Sequence, residues 1–484
     1  MGPLHTASKG RVKTTRATLE KTLKPRYLGI GFVWAWIYCS FETSALYPDR
    51  HGISINADPS WLASAATVVI VLVATGIAWR NLDLKRMRWA HFAAPALVAG
   101  GTVLSAAASL SSPPIVALQY ASGALSGIGS GWLCILWADA LSRLDVEHIE
   151  IVVPAASVVT LLCTIVFPSI QGIPGVLAVA SLPLASGALL LLAYQEHAPK
   201  RPLPRNAART DAAVLGTVLR ASLVLSVAYF AIGCVGAMSE SEGLLQALGG
   251  FDVPTFIGSA FGIVMALCFV LYTVRIDFAS LFRWLTPLLV LALALFPWQE
   301  VAPSFISNTI TSVADTSMQV ITYIYIISLA KKQLAPAALG IGITQGAVQL
   351  GVLVGNMTGA HAAALVASGA LNVFVFVLGL ICAISFATLL VPQRTAKPVD
   401  RVSGPSEAGE ASRTELLCAA LSSECGLSGR ETEILGYLAK GRSQPYIREE
   451  LFLSKNTVAT HVKHIYQKLN VHSRQELLDL FEDA

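Results

Sequence analysis

Up to residue 391 the chain alternates between long apolar runs and short polar breaks. A helix that crosses a bilayer needs about 20 mostly apolar residues. Twelve segments meet that requirement: 27–47, 61–79, 90–110, 115–141, 149–169, 175–194, 212–236, 255–274, 284–301, 304–329, 338–358 and 363–391. Pro154 and Pro183 fall inside two of them; such prolines are tolerated where neighbouring helices satisfy the released carbonyls. The tenth segment is unusually polar. Thr311, Asp315 and Gln319 repeat at a spacing of four, which puts them on one helix face that must look into a cavity or a partner helix. Gln345 and Gln349 make a similar pair on the eleventh.

Beyond residue 391 the pattern changes. PQRTAKPVDRVSGPSEAGEASRT is Pro-, Gly- and Ser-rich with mixed charge, and predicts a flexible tether over 392–426, with a short helical stretch near 414–424. From 427 to 484 four serines each precede an amphipathic run. Ser428 with Glu431 and Ser473 with Glu476 have capping-box spacing. Ser443 and Ser454 read as simple N-caps. Four short helices follow, about 429–440, 444–451, 455–469 and 474–482. A three-residue turn joins the second to the third, the arrangement of a helix-turn-helix. Val458, Val462, Ile465 and Leu469 face the core with Ile434, Leu435, Leu438, Ile447 and Leu451. The opposite face carries Lys455, Asn456, Ala459, Thr460, Lys463, His464 and Gln467.

Composition agrees with this division. Hydrophobic residues make up 54% of the 484 and charged residues 13%, against roughly 25% charged in an ordinary soluble domain. That excludes a string of soluble domains and leaves an integral membrane protein with something attached. Charge then orients it. The N-terminal tail 1–26 holds seven Lys and Arg, and the loops on the same side hold 13 more; the opposite loops hold one, Arg50. Cytoplasmic loops carry the excess of Lys and Arg, so both termini are expected in the cytoplasm. The loop 195–211 separates six spans from six, giving halves 27–194 and 212–391. Ionisable groups inside spans are functional candidates: Glu42, Arg220 and Asp315, with Gln319 and Gln345 as polar neighbours. They read either as a ligand site or as a structural pairing of Arg220 or Glu42 with Asp315. The Gly-rich fourth span (Gly123, Gly127, Gly131) predicts close helix packing. No nucleophile–base pair, metal-ligand spacing or phosphate loop appears, so no enzyme activity and no cofactor are expected.

The 6+6 layout with a basic central loop resembles the major facilitator superfamily. The loop RNLDLKRMRW keeps Asp83, Lys85 and Arg86 of that family's signature between the second and third spans but lacks its glycines. The C-terminal stretch resembles the LuxR-type DNA-binding domain. The matching residues are Leu427, Arg430, Glu431, Glu433, Gly441, Ser443, Ser454, Thr457, Val458, His461, Lys468, Leu469, Val471 and Arg474. The resemblance implies base reading at Ala459, Thr460 and Lys463. It implies phosphate contact at Lys455, Thr457, His461 and Lys468, and pairing of two copies on DNA through Leu477, Leu478 and Phe481. Residues 427–484 carry eight Lys and Arg against eight Asp and Glu, yet 455–474 hold no acid. One positive face on a neutral domain is the footprint of phosphate contact. The fold class is therefore all-α, a polytopic twelve-helix bundle in the membrane plus a four-helix DNA-binding module. The implied function is a bacterial, membrane-bound, one-component transcription regulator. Its partners would be promoter DNA, membrane lipid and an unknown small-molecule ligand, with a homodimer on DNA. The rival reading is a secondary transporter with a fused regulatory module.

Overall fold

The computed structural model divides into two compact units between Gln393 and Arg394. It describes residues 24–41, 58–111, 114–144, 146–196, 212–239, 252–272, 278–298, 304–331 and 334–390, and most of 417–482 except 419, 423, 440–443, 445–446, 448–454 and 472. Glu42, the loop 197–211, the tether up to 416 and most of the expected helix 444–451 lie outside the described residues. Every regular element among the described residues is helical.

The first half of the membrane unit holds α1 (Gly29–Phe41), α2 (Pro59–Ala78), α3 (Arg88–Leu110), α4 (Val116–Ser142), α5 (Val146–Ala155), α6 (Ser157–Val166) and α7 (Gly172–Glu196). The second half holds α8 (Ala212–Met238), α9 (Val253–Tyr272), α10 (Phe278–Leu295), α11 (Ser304–Lys331), α12 (Ala337–Ala367) and α13 (Val373–Thr388). Each of the twelve expected spans contains a helix, and the fifth is split into α5 and α6 at Ala156, two residues after Pro154. With α5 and α6 taken together as one span, eight of the described helices are long and apolar enough to cross a bilayer. The boundary between the last two spans differs from the sequence reading. α12 does not stop at 358 but runs to Ala367, and α13 starts at Val373. Residues 359–367 (GAHAAALVA) contain no breaker; the stop comes where Gly369 takes a left-handed φ of 73°.

Small residues set the packing. Gly123 and Gly127 of α4 lie against the backbone carbonyls of Ser60 and Ser64 in α2. Gly351, Gly355 and Gly359 of α12 do the same against Ser226, Phe230 and Cys234 of α8. A Cβ at any of these five positions would collide with a carbonyl oxygen, so the spacing of four lets two backbones touch along several turns. Hydroxyls tie helices together inside the apolar interior. The Trp36 indole donates to Thr102 Oγ1 at 2.9 Å, and Ser105 to Ser60 at 2.7 Å. Ile70, Phe92, Ile173, Leu177 and Phe386 stand exposed on the outside, a surface that suits lipid and would not stay monomeric in water. The halves meet where Gly76 of α2 abuts Ala338 and Gly342 of α12, and where Trp34 of α1 sits edge-on to Tyr323 of α11 at 5.8 Å.

The loop after α2 is held by charge. Arg143 at the end of α4 reaches Asp139 at 3.0 Å and Asp83 at 3.1 Å, and Asp83 also pairs with Arg86 at 3.3 Å. Tyr194 of α7 donates to the same Asp139 at 2.9 Å. Asp83 and Arg86 are visible as signature remnants in the sequence. Their tie to Arg143 and Asp139 is not, because 60 residues separate Asp83 from Arg143.

Candidate DNA-reading face and polar membrane face

The C-terminal unit holds α14 (Gly429–Ala439), α15 (Lys455–Lys468) and α16 (Arg474–Glu482). α14 starts with the expected capping box: the Ser428 N–H donates to Glu431 Oε2 at 2.8 Å, and the Glu431 N–H to Ser428 Oγ at 3.3 Å. α15 ends in a Schellman turn. Asn470 adopts a left-handed φ of 52°, and the Val471 N–H returns to the Tyr466 carbonyl at 3.0 Å. Ile434, Leu435, Leu438, Ile447, Val458, Val462, Ile465 and Leu469 are all buried, as the periodicity requires. The core also takes in Cys418, Val471 and Leu477. Cys418 belongs to helical residues between 417 and 424, so the packed unit begins inside the stretch read as tether. Leu477, read as part of a pairing surface, is fully buried in the domain's own core; Leu478 and Phe481 remain partly exposed.

The outward face of α15 presents Ala459, Thr460, Lys463, His464 and Gln467, all exposed. Side chains of Lys455 and Thr457 lie outside the described residues. His461 is half-buried, with Nδ1 enclosed and without a hydrogen-bond partner. Lys468 occupies a different setting. Its ammonium bridges the buried Glu431 carboxylate at 2.8 Å and the Gly426 carbonyl at 3.0 Å. Those contacts, first from Lys468 and then from the Ser428 N–H, pull the Glu431 carboxyl down to about 2. His464 Nδ1 stands 3.6 Å from the other oxygen of Glu431. Lys468 is therefore engaged inside the domain, and Lys463 is the cation that α15 offers outward among its described side chains.

In the membrane unit the face of α11 grades along its length. Asn308, Thr311, Asp315 and Gln319 are each partly exposed, and Tyr323 is buried. The Tyr229 hydroxyl of α8 donates to the Asp315 backbone carbonyl at 3.4 Å. Gln345 is buried in α12. Arg220 is exposed on α8, and no ion pair joins it to Asp315. The structure therefore does not bring Arg220 and Asp315 together as an ion pair.

Residues 426–481 match the family described as bacterial regulatory proteins, luxR family. Over 53 residues the chain is 47% identical to the Fimbriae Z protein of Salmonella typhimurium, which is 11% of this chain and 25% of that protein. It is 51% identical over 53 residues to the oxygen regulatory protein NreC of Staphylococcus carnosus, 11% of this chain and 24% of that one. The chain thus spans about a quarter of the length of these relatives. Solved structures match elsewhere. The human organic anion transporter MFSD10 superposes with a TM-score of 0.53 at 14% identity, over 76% of this chain and 98% of that one. A bacterial homologue of the iron transporter ferroportin, in an outward-facing state, gives 0.51 at 13% identity over 76% and 96%. The membrane unit has the major-facilitator fold, and residues 426–481 form a LuxR-type helix-turn-helix.

Proposed function

We propose that this chain, a major-facilitator-like bundle carrying a LuxR-type DNA-binding domain, is a one-component transcription regulator of the bacterial cytoplasmic membrane. The carrying observation is the exposed, acid-free face of α15 on the same polypeptide as an apolar bundle. Both termini are cytoplasmic in this reading, supported by the 20-to-1 partition of Lys and Arg. Ala459, Thr460 and Lys463 read bases. The Ala459 methyl packs on a thymine methyl, and Lys463 donates to a guanine edge. Lys455, Thr457, His461 and Lys468 take phosphates, Lys468 only by exchanging Glu431 for DNA. Two copies bind two half-sites. A small ligand between the six-helix halves shifts them by its differential affinity for two arrangements.

Full-length protein in lipid nanodiscs should bind a captured promoter fragment. Lys463→Ala should weaken that binding by about 1–3 kcal/mol and relax base choice at one position; an equal loss on all sequences would restrict Lys463 to phosphate. The transporter reading is favoured by the fold of the membrane unit. It predicts substrate flux in vesicles that survives removal of 394–484, and a regulator predicts no flux.

A further inference from the structure

The two oxygens of the Glu431 carboxylate are unequally served. The Ser428 N–H and the Lys468 ammonium both reach Oε2, each at 2.8 Å. Among the described residues Oε1 receives no hydrogen bond; His464 Nδ1 stands 3.6 Å from it. The Glu431 side chain is only 6% exposed. An ionised oxygen in so buried a place is ordinarily given a donor.

His464 is placed to supply one. It lies one turn before Lys468 on α15, on the flank of the outward face that meets the start of α14, and its side chain is half exposed. A neutral imidazole has one N–H donor, and an imidazolium has two. With Nδ1 turned toward Glu431, Nε2 is the nitrogen left for a partner outside the domain. A neutral ring can donate to the carboxylate or to a DNA phosphate. Only the charged ring can donate to both at once, and it then lies between two anions.

The surrounding charges leave this flank balanced on that one proton. Lys468 is held by Glu431 and by the Gly426 carbonyl. On α14, Arg430 pairs with Glu433. Lys463 precedes His464 on α15 and is exposed on the groove-facing side. Glu431 and Lys468 cancel, so a neutral His464 adds nothing to Lys463, and a charged one adds a second cation to the face.

We infer that His464 is a proton-operated phosphate contact, whose imidazolium bridges Glu431 Oε1 and the DNA backbone. This rests on the DNA-reading role proposed for α15. It gives the regulator a second input, the pH of the cytoplasm, read at the DNA end and independent of anything the membrane bundle holds. Histidine changes charge between about pH 5 and pH 8. DNA binding favours the charged form, so promoter affinity rises as pH falls through that range. Glu431 stays ionised throughout, because its carboxyl is held down at about 2.

The test titrates full-length protein in nanodiscs of neutral lipid with a captured promoter fragment, at about pH 6 and about pH 8 and over a range of salt. Wild type should bind severalfold more tightly at the lower pH. Its slope of log affinity against log salt should also be steeper there by about 0.9, the value of one phosphate contact. His464→Gln should lose both differences and bind at either pH as wild type does at the higher one. His464→Arg should keep the steeper slope at both, which separates a missing charge from a folding defect. Equal wild-type affinity at the two pH values would overturn the inference. So would a pH difference that survives His464→Gln, which would move the proton to another histidine such as His461. A pH difference without a change of slope would overturn the phosphate contact. Absence of promoter binding at both pH values sinks the DNA-reading proposal and this one together; binding unmoved by pH sinks this one alone.

Discussion

Glu431 is buried, yet it stays ionised because the Lys468 ammonium and the Ser428 N–H donate to its carboxylate. Its folded value of about 2 lies below the ordinary 4.5. A depressed carboxyl stabilises the fold fully above its unfolded value, and the contribution is lost as pH falls through the folded value. Acid should therefore loosen the C-terminal unit between about pH 4.5 and pH 2. The contribution is on the order of 2 kcal/mol, discounted because Lys468 is partly exposed. Glu431→Gln should remove most of it and speed amide exchange in peptides from 427–439 and 455–469 at neutral pH. Exchange unchanged from wild type would mean that the bridge does not hold the helices together. The capping box was legible in the sequence because it spans three residues. The Lys468 bridge was not, because it joins positions 37 apart and depends on the fold to bring them together. A family pattern could mark Lys468 but could not say that it points into the domain.

At the level of elements, local signals and their partners separate in the same way. The small residues of α4 announced close packing, and the Asn470 turn could have been found from an Asn just past the last periodic position. Which helix packs on which stripe came only with the structure, for α2 on α4 and α8 on α12. The α12 boundary was misread because hydropathy alone cannot separate two apolar helices joined by a short turn. Gly355 faces the Phe230 backbone, so Gly355→Leu has no room and must push α8 from α12. Overpacking of this kind costs about 1–3 kcal/mol. The variant should show a lower thermal midpoint and less monodisperse protein, whereas Gly379→Leu, with open space around its Cα, should behave as wild type. Equal behaviour of the two would remove the stripe's role.

For the whole molecule, composition and charge foretold two unlike parts, and the contact pattern divides the chain at Gln393. The contacts between halves were not legible, since they pair residues hundreds of positions apart, such as Trp34 with Tyr323. A regulator predicts that the bundle is more than an anchor. Replacing 1–391 by an unrelated membrane anchor should preserve promoter binding and abolish its response to conditions; a response that survives would reduce the bundle to a tether. The order of the two units has a temporal effect as well. Domains form in the order they leave the ribosome, and here the bundle precedes the DNA reader. In the regulator reading each copy is already committed to the bilayer when α15 is made, and the cell then holds no pool of diffusing reader. In the regulator reading every promoter the protein occupies must be brought to the membrane, and the timing of its regulation is then set by how often the chromosome visits it.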